Sequence, residues 1–175
     1  MLKINIILIL LLIIPIPNDE INVHSPTVIN SPIGQRFSNF GHVGVDLSIP
    51  VGTDLYADLD GEVIETAEDS RCYGRYLMIL HEDGNASLYA HLSKILIERG
   101  DEVKAGDLIA LSGGDPKDTI DGDGWSTGAH LHWEVRIKEH LNNNLYNIDP
   151  IKYLAQFYFN TELPKWMENY LNYEE

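Results

Sequence analysis

The chain has a single cysteine, Cys72, among its 175 residues. No intrachain disulfide can form, and no cysteine-built zinc site is available. Positive charge is also scarce, since 12 lysines and arginines stand against 27 aspartates and glutamates, a formal net charge of −15. A body this acidic repels phosphate backbones and anionic lipid, which excludes nucleic acid as a partner and argues against tight docking on an anionic cell wall. The apolar N-terminal run is too short for a full membrane span: Ile4 to Ile16 would make a helix of ~20 Å against a hydrocarbon core of ~30 Å. Neither a small-x-small cleavage pattern nor a cysteine follows that run, so a lipid-modified N-terminus at this position is excluded. H-E-x-x-H is missing, and with it the helical zinc-protease pattern. With 44% hydrophobic and 22% charged residues, the composition is that of an ordinary globular domain with appendages.

Lys3 followed by an apolar stretch and Pro15-Ile16-Pro17 has the layout of an export signal. Residues 1–17 are therefore expected to be an export signal or a short N-terminal membrane anchor, and residues 18–33, with Pro26 and Pro32, a linker. From residue 34 onward, short apolar stretches alternate with glycine turns. Val63-Ile64, Tyr76–Leu80, Ser87–Leu92, Leu108–Leu111 and Leu131–Ile137 read as strands. Asp60-Gly61, Asp83-Gly84-Asn85, Arg99-Gly100-Asp101, Gly106-Asp107 and Gly113-Gly114 separate them as turns. This is an all-β pattern, a sandwich or barrel. Val51–Ala57 and Lys104–Ala110 resemble each other weakly, either by duplication or by chance. Asp149-Pro150 predicts a helix start, with Asp as N-cap and Pro at N1, running to about Phe159. A second helix near Pro164 puts Trp166, Met167, Tyr170 and Leu171 on one face, so residues 155–175 form a short C-terminal helical tail that caps the β core.

The seven histidines are where chemistry is to be sought. His42 and Asp46 stand four apart in Gly41-His42-Val43-Gly44-Val45-Asp46. In a straight strand they would be ~13 Å apart, too far to share an ion with bonds of ~2 Å, so the chain must bend between them, at Gly44. In His130-Leu131-His132-Trp133-Glu134-Val135, strand alternation puts His130, His132 and Glu134 on one face and the apolar residues on the other. By the same alternation Tyr89 and His91 face one way, and Ala90 and Leu92 the other. His24, His81 and His140 sit in turns or polar surroundings and read as structural.

These blocks occur in a family's order. Gly41-His42-x-Gly44-x-Asp46, Gly52-Thr53-x-x-x-Ala57-x-x-x-Gly61-x-Val63, Tyr89-Ala90-His91-Leu92-Ser93, Gly100-Asp101-x-Val103-x-x-Gly106 and Ser126-Thr127-Gly128-x-His130-Leu131-His132-x-Glu134 together resemble the lysostaphin-type (LytM-like) zinc endopeptidases that cut peptidoglycan. The resemblance spans residues 34–154, ending at Asp149-Pro150-x-x-Tyr153-Leu154. It implies an antiparallel β-sheet groove related to the duplicated hybrid motif. His42, Asp46 and His132 would be ligands of one zinc ion per chain, and His91 and His130 the catalytic histidines. Two imidazoles and a carboxylate leave a fourth zinc position for an activated water, with the two free histidines handling protons. Glu134 is a candidate to orient a histidine ligand, with a purely structural role as the alternative.

The implied activity is hydrolysis of peptide cross-links or stem peptides of peptidoglycan, outside the cytoplasmic membrane. One alternative is a non-catalytic member that binds wall peptide or activates another hydrolase; such members lack ligands, and this chain has all five residues. Another is a sugar-transport phosphocarrier of related fold, which the export signal argues against. The chain departs from the family pattern in an acidic insertion, Asp115 to Trp125, before Ser126. Its Asp118, Asp121 and Asp123 match no standard calcium spacing and read as a solvated loop that shapes access to the site. Cys72 reads as a lone thiol in a turn. Oligomeric state, and the bond cut, are not written in these residues.

Overall fold

A computed structural model describes residues 23–27, 31–38, 41–117, 124–138, 145–158 and 162–172. The expected export signal, half of the expected linker, Asp118, Asp121, Asp123 and His140 lie outside the described residues. The elements are β1 (Ile33–Gln35), β2 (Val45–Leu47), β3 (Asp54–Tyr56), β4 (Gly61–Ser70), β5 (Gly74–Leu80), β6 (Ala86–Ala90), β7 (Leu92–Ile95), β8 (Glu102–Val103), β9 (Leu108–Ser112), β10 (Leu131–Lys138), β11 (Leu145–Ile148), α1 (Pro150–Ala155) and α2 (Lys165–Leu171). The architecture is antiparallel β with two short helices, as the turn spacing implied.

One sheet runs β1-β2-β10-β6-β5-β4-β8, with β11 also paired to β10, and a second runs β3-β9-β7. The core lies between them. Val45, Leu47, Leu131, Trp133, Val135, Tyr89 and Leu77 of the large sheet meet Leu55, Ile109 and Leu92 of the small one, all fully buried. The helices seal this core: Asp149 caps α1 by accepting from the Ile151 and Lys152 amides, and Ile151, Leu154, Trp166, Met167 and Tyr170 are buried in it. α1 is shorter than the expected run to Phe159. After Ala155 the bonds tighten to i→i+3, from the amides of Phe157 and Tyr158 to Leu154 and Ala155, and the partly buried aromatic rings pack on the core instead.

Two resembling segments turn out to be equivalent turns. Gly52 and Gly106 both adopt positive φ (82° and 88°), and in each turn the next residue's amide bonds back three residues, Thr53 to Pro50 and Asp107 to Lys104. They lead into β3 and β9, which pair with each other. Among the described residues no helix is long and apolar enough to cross a membrane.

Candidate metal centre

The large sheet's register unites residues distant in sequence. On β10, Leu131 and Trp133 point into the core, so His132 and Glu134 point to the opposite face. β2 pairs with β10 so that Asp46 lies directly across from His132. His42 precedes β2 in a bend, and Gly44 has a specific function there. A Cβ on it would lie 2.5 Å from the Trp133 carbonyl oxygen and 2.9 Å from His132 Cε1. Gly44 is not among the positive-φ glycines, so the bend needs its smallness rather than its conformational range.

His91 corrects the simple alternation. Tyr89 and Leu92 are both in the core, whereas the His91 ring lies 4.7 Å from the His130 ring and 5.7 Å from the His132 ring. The cause is a left-handed residue: His91 has φ 58°, the one non-glycine with positive φ among the described residues. This kink separates β6 from β7 and turns the imidazole off the core side.

Three donor atoms converge. His132 Nδ1 is 2.8 Å from Asp46 Oδ1, His42 Nε2 is 3.1 Å from the same oxygen, and the two nitrogens are 3.2 Å apart. His42, Asp46 and His132 form the cluster able to hold a metal ion among the described residues. Tetrahedral zinc with bonds of about 2.0–2.2 Å separates its donors by about 3.3–3.5 Å, so these atoms need open only slightly to admit it. Each histidine's other nitrogen is already engaged: His42 Nδ1 with the Arg36 carbonyl at 3.0 Å, and His132 Nε2 with Glu134 Oε1 at 3.0 Å. That arrangement fixes the tautomer with the free lone pair directed inward, as metal-binding imidazoles require. The donor set and its outer partners both fit zinc.

Charge is tightly held here. Burial pushes the Asp46 carboxyl up, but hydrogen bonds from His132 and His42 and the charge of His130 outweigh it and leave it well below the carboxylate range. Burial pulls the His132 imidazolium down, yet Asp46 and Glu134 on either side raise it to about 9. A cation between these groups is therefore favoured, whether proton or metal.

Glu134 is fully buried and accepts from four donors. Tyr73 Oη (2.7 Å) and His132 Nε2 bond to Oε1; Arg136 Nε (2.8 Å) and Asn147 Nδ2 (2.6 Å) bond to Oε2. Burial would raise it, but the His132 bond and the Arg136 charge bring it down to about 2. Asn147 Nδ2 also donates to the Val43 carbonyl at 3.0 Å, linking this carboxylate to the bend that carries His42. Tyr73, Arg136 and Asn147 were not expected as site residues. Arg136 had a legible signal, two residues beyond Glu134 on the same strand face; Asn147 reaches it only through the pairing of β11 with β10.

His130 holds its ring by Nδ1, 2.7 Å from the Gly128 carbonyl and 3.3 Å from Ser126 Oγ, while Nε2 faces Asp46 Oδ1 at 3.7 Å. His24 and His81 lie elsewhere. His81, 5% exposed, bonds through Nδ1 to the Asp60 carbonyl and through Nε2 to Ser87 Oγ. Ser87 in turn donates to Asp58. This serine, histidine and aspartate do not make a nucleophile, since Ser87 and Asp58 are sealed from solvent and the serine proton goes to the carboxylate.

Comparison with known proteins gives a consistent result. The model of Peptidase family M23 matches residues 40–145. The peptidoglycan DD-endopeptidase ShyA of Vibrio cholerae serotype O1 is 36% identical over 122 residues, covering 66% of this chain and 26% of ShyA. The catalytic domain of the antimicrobial peptidase lysostaphin from Staphylococcus simulans superposes with a TM-score of 0.60 at 29% identity, covering 72% of this chain and 93% of that domain. A zinc-containing peptidase from Vibrio cholerae gives a TM-score of 0.60 at 29% identity, covering 73% of this chain and 39% of that one. The chain spans about a quarter of the length of the first curated relatives it matches.

Proposed function

The chain belongs to peptidase family M23, and from that premise we propose that it is a zinc-dependent endopeptidase hydrolysing peptide cross-links or stem peptides of bacterial peptidoglycan. The observation that carries this reading is the convergence of His42 Nε2, Asp46 Oδ1 and His132 Nδ1, with each imidazole's other nitrogen already held. The relatives' names support peptidoglycan as the substrate.

In this proposal those three side chains hold one zinc ion. When bound, zinc supplies Lewis acidity toward a peptide carbonyl and lowers the pKa of water. His130 and His91 manage the protons. The Gly128 carbonyl accepts from His130 Nδ1, which leaves the Nε2 lone pair directed at the site. His130 therefore takes the proton that water loses as it attacks the carbonyl carbon. His91, held beside it by its left-handed backbone, donates to the amine as the C–N bond breaks. Glu134 keeps His132 in the ligating tautomer. All five residues lie together, which favours this reading over a non-catalytic binding member.

The purified protein should carry one zinc per chain and release soluble fragments from cross-linked peptidoglycan. Chelation should stop that release, and added zinc should restore it. Zinc-loaded protein that leaves every cross-linked substrate intact would refute the proposal. We also infer that the protein acts outside the cytoplasmic membrane, from the signal-like residues 1–17. A reporter active only after export, fused to the first 25 residues, should be active; an inactive cytosolic fusion would overturn this.

A further inference from the structure

Two of the six large hydrophobic side chains exposed among the described residues belong to chain neighbours of residues at the candidate site. Val43 (43% exposed) follows His42. Trp125, the most exposed at 67%, precedes Ser126, whose hydroxyl is 3.3 Å from His130 Nδ1. Exposed apolar side chains scattered singly over a surface mean little, but one held beside a polar site offers apolar surface to whatever binds there.

Trp125 is also fixed in place. Its amide donates to the Cys72 carbonyl at 2.9 Å, in the β4–β5 turn. Gly124, at φ 63°, lies so close to that turn that a Cβ would sit 2.3 Å from the Gly74 nitrogen and 2.4 Å from the Cys72 oxygen. The single proton of the Ser126 hydroxyl is shared between the Gly114 and Gly128 carbonyls on the other side. The end of the acidic insertion is thus pinned between the turn and the His130 strand. The same turn carries Tyr73, whose ring is 5.9 Å from the His132 ring. A large indole held open on a pinned backbone is a preorganised contact surface.

Arg71 lies beside it, exposed, with its guanidinium carbon 5.6 Å from the Trp125 ring centroid. Two other arginines near the site are occupied. Arg75 is held by Glu68 and the Leu92 and Ser93 carbonyls, and Arg136 by Glu134 and Tyr73. Among the described residues no carboxylate pairs with Arg71. In a chain of net charge −15, an anionic peptide is repelled at long range, so a cation on the site's edge acts locally and selectively. A guanidinium beside an indole keeps its N–H edge free to hold a carboxylate by two parallel bonds.

We propose that Trp125 and Arg71 form a substrate subsite that selects peptides bearing a free carboxylate next to the bond to be cut, the indole taking the peptide's apolar stem and the guanidinium its carboxylate. This rests on the endopeptidase reading above and adds to it a substrate class.

The test uses two synthetic cross-linked peptides that differ only in a free carboxylate or a carboxamide beside the scissile bond. With zinc-loaded protein, the carboxylate form should have the lower KM, by about tenfold, the scale of one charge-assisted hydrogen bond. Arg71→Gln should abolish that preference with kcat and zinc content unchanged. Trp125→Ala should raise KM for both peptides, and Trp125→Phe should restore most of the loss. Binding has its own readout, because Trp133 and Trp166 are buried (0% and 5% exposed) and acrylamide quenching reports on Trp125. The carboxylate peptide should protect Trp125 at lower concentration than the carboxamide. Carboxylate-selective protection without cleavage would sustain the subsite while refuting the endopeptidase reading. Cleavage with an unchanged carboxylate preference in Arg71→Gln would overturn the subsite and leave the endopeptidase reading intact.

Discussion

Replacing Glu134 by glutamine keeps the side chain's shape and removes its charge. The native carboxylate accepts from Tyr73, His132, Arg136 and Asn147 at 2.6–3.0 Å and has no access to water. A glutamine has one acceptor oxygen, so its amide group must face two of those four donors whichever way it is turned. Facing Arg136 and Asn147, it leaves a buried guanidinium without its counter-charge. Facing Tyr73 and His132, it withdraws the acceptor that fixes the ligating tautomer. Removing one partner of a buried ion pair costs about 3–5 kcal/mol. At about 2–4 °C per kcal/mol for a chain of this size, the zinc-free variant should melt roughly 6–20 °C lower. Zinc affinity should fall about 10–100-fold, the usual effect of losing a ligand's outer partner. Calorimetry of zinc-free and zinc-loaded protein, with chelator competition, measures both. A folded Glu134→Gln variant that binds zinc within twofold of the parent would refute the orienting role.

Two further outcomes follow from the same geometry. His132 is raised from 6.5 to about 9, so its contribution to the stability of the zinc-free chain is complete below about pH 6.5 and is lost as pH rises through 9. Zinc must displace that proton, so its affinity should climb about tenfold per pH unit toward 9 and then level off; a flat profile from pH 7 to 9 would contradict this. Gly44→Ala places a Cβ 2.5 Å from the Trp133 carbonyl, so β2 must move away from β10 and carry Asp46 from His132. It should cost about 1–3 kcal/mol and weaken zinc binding at least as much as Glu134→Gln, and unaltered zinc titration would contradict it.

The sequence was most informative where side chains alternate on one long strand. Leu131, Trp133 and Val135 mark the core face of β10, and His132 and Glu134 mark the other, because period-two patterning survives wherever one face is dry. The helix cap at Asp149-Pro150 was equally legible, its chemistry being local. β1, β2, β3, β7 and β8 are two to four residues long, too short to show a period. β4 is ten residues, but it is polar and its pairing slips twice, so only Val63-Ile64 was recognisable. The meeting of Asp46 with His132 depends on strand register across 86 residues, which no local pattern encodes; family resemblance supplied it instead. His91 shows how alternation misleads, since one left-handed residue reverses the side-chain direction. Tyr73 and Asn147 lie in a turn and a β11 strand whose pairing partners only the fold reveals.

His130 and His132 stand two residues apart and are assigned different work, so replacing each with alanine separates ligand from proton carrier. The measurement is zinc per chain beside the rate of cleaving a cross-linked peptide. His132→Ala removes a donor 2.8 Å from Asp46 and should lose both zinc and activity. His130→Ala should keep one zinc per chain while its rate falls by about 10²–10⁴, the range for a single general acid–base group. Zinc lost from a folded His130→Ala variant but kept by His132→Ala would reverse the assignment and contradict the proposed centre.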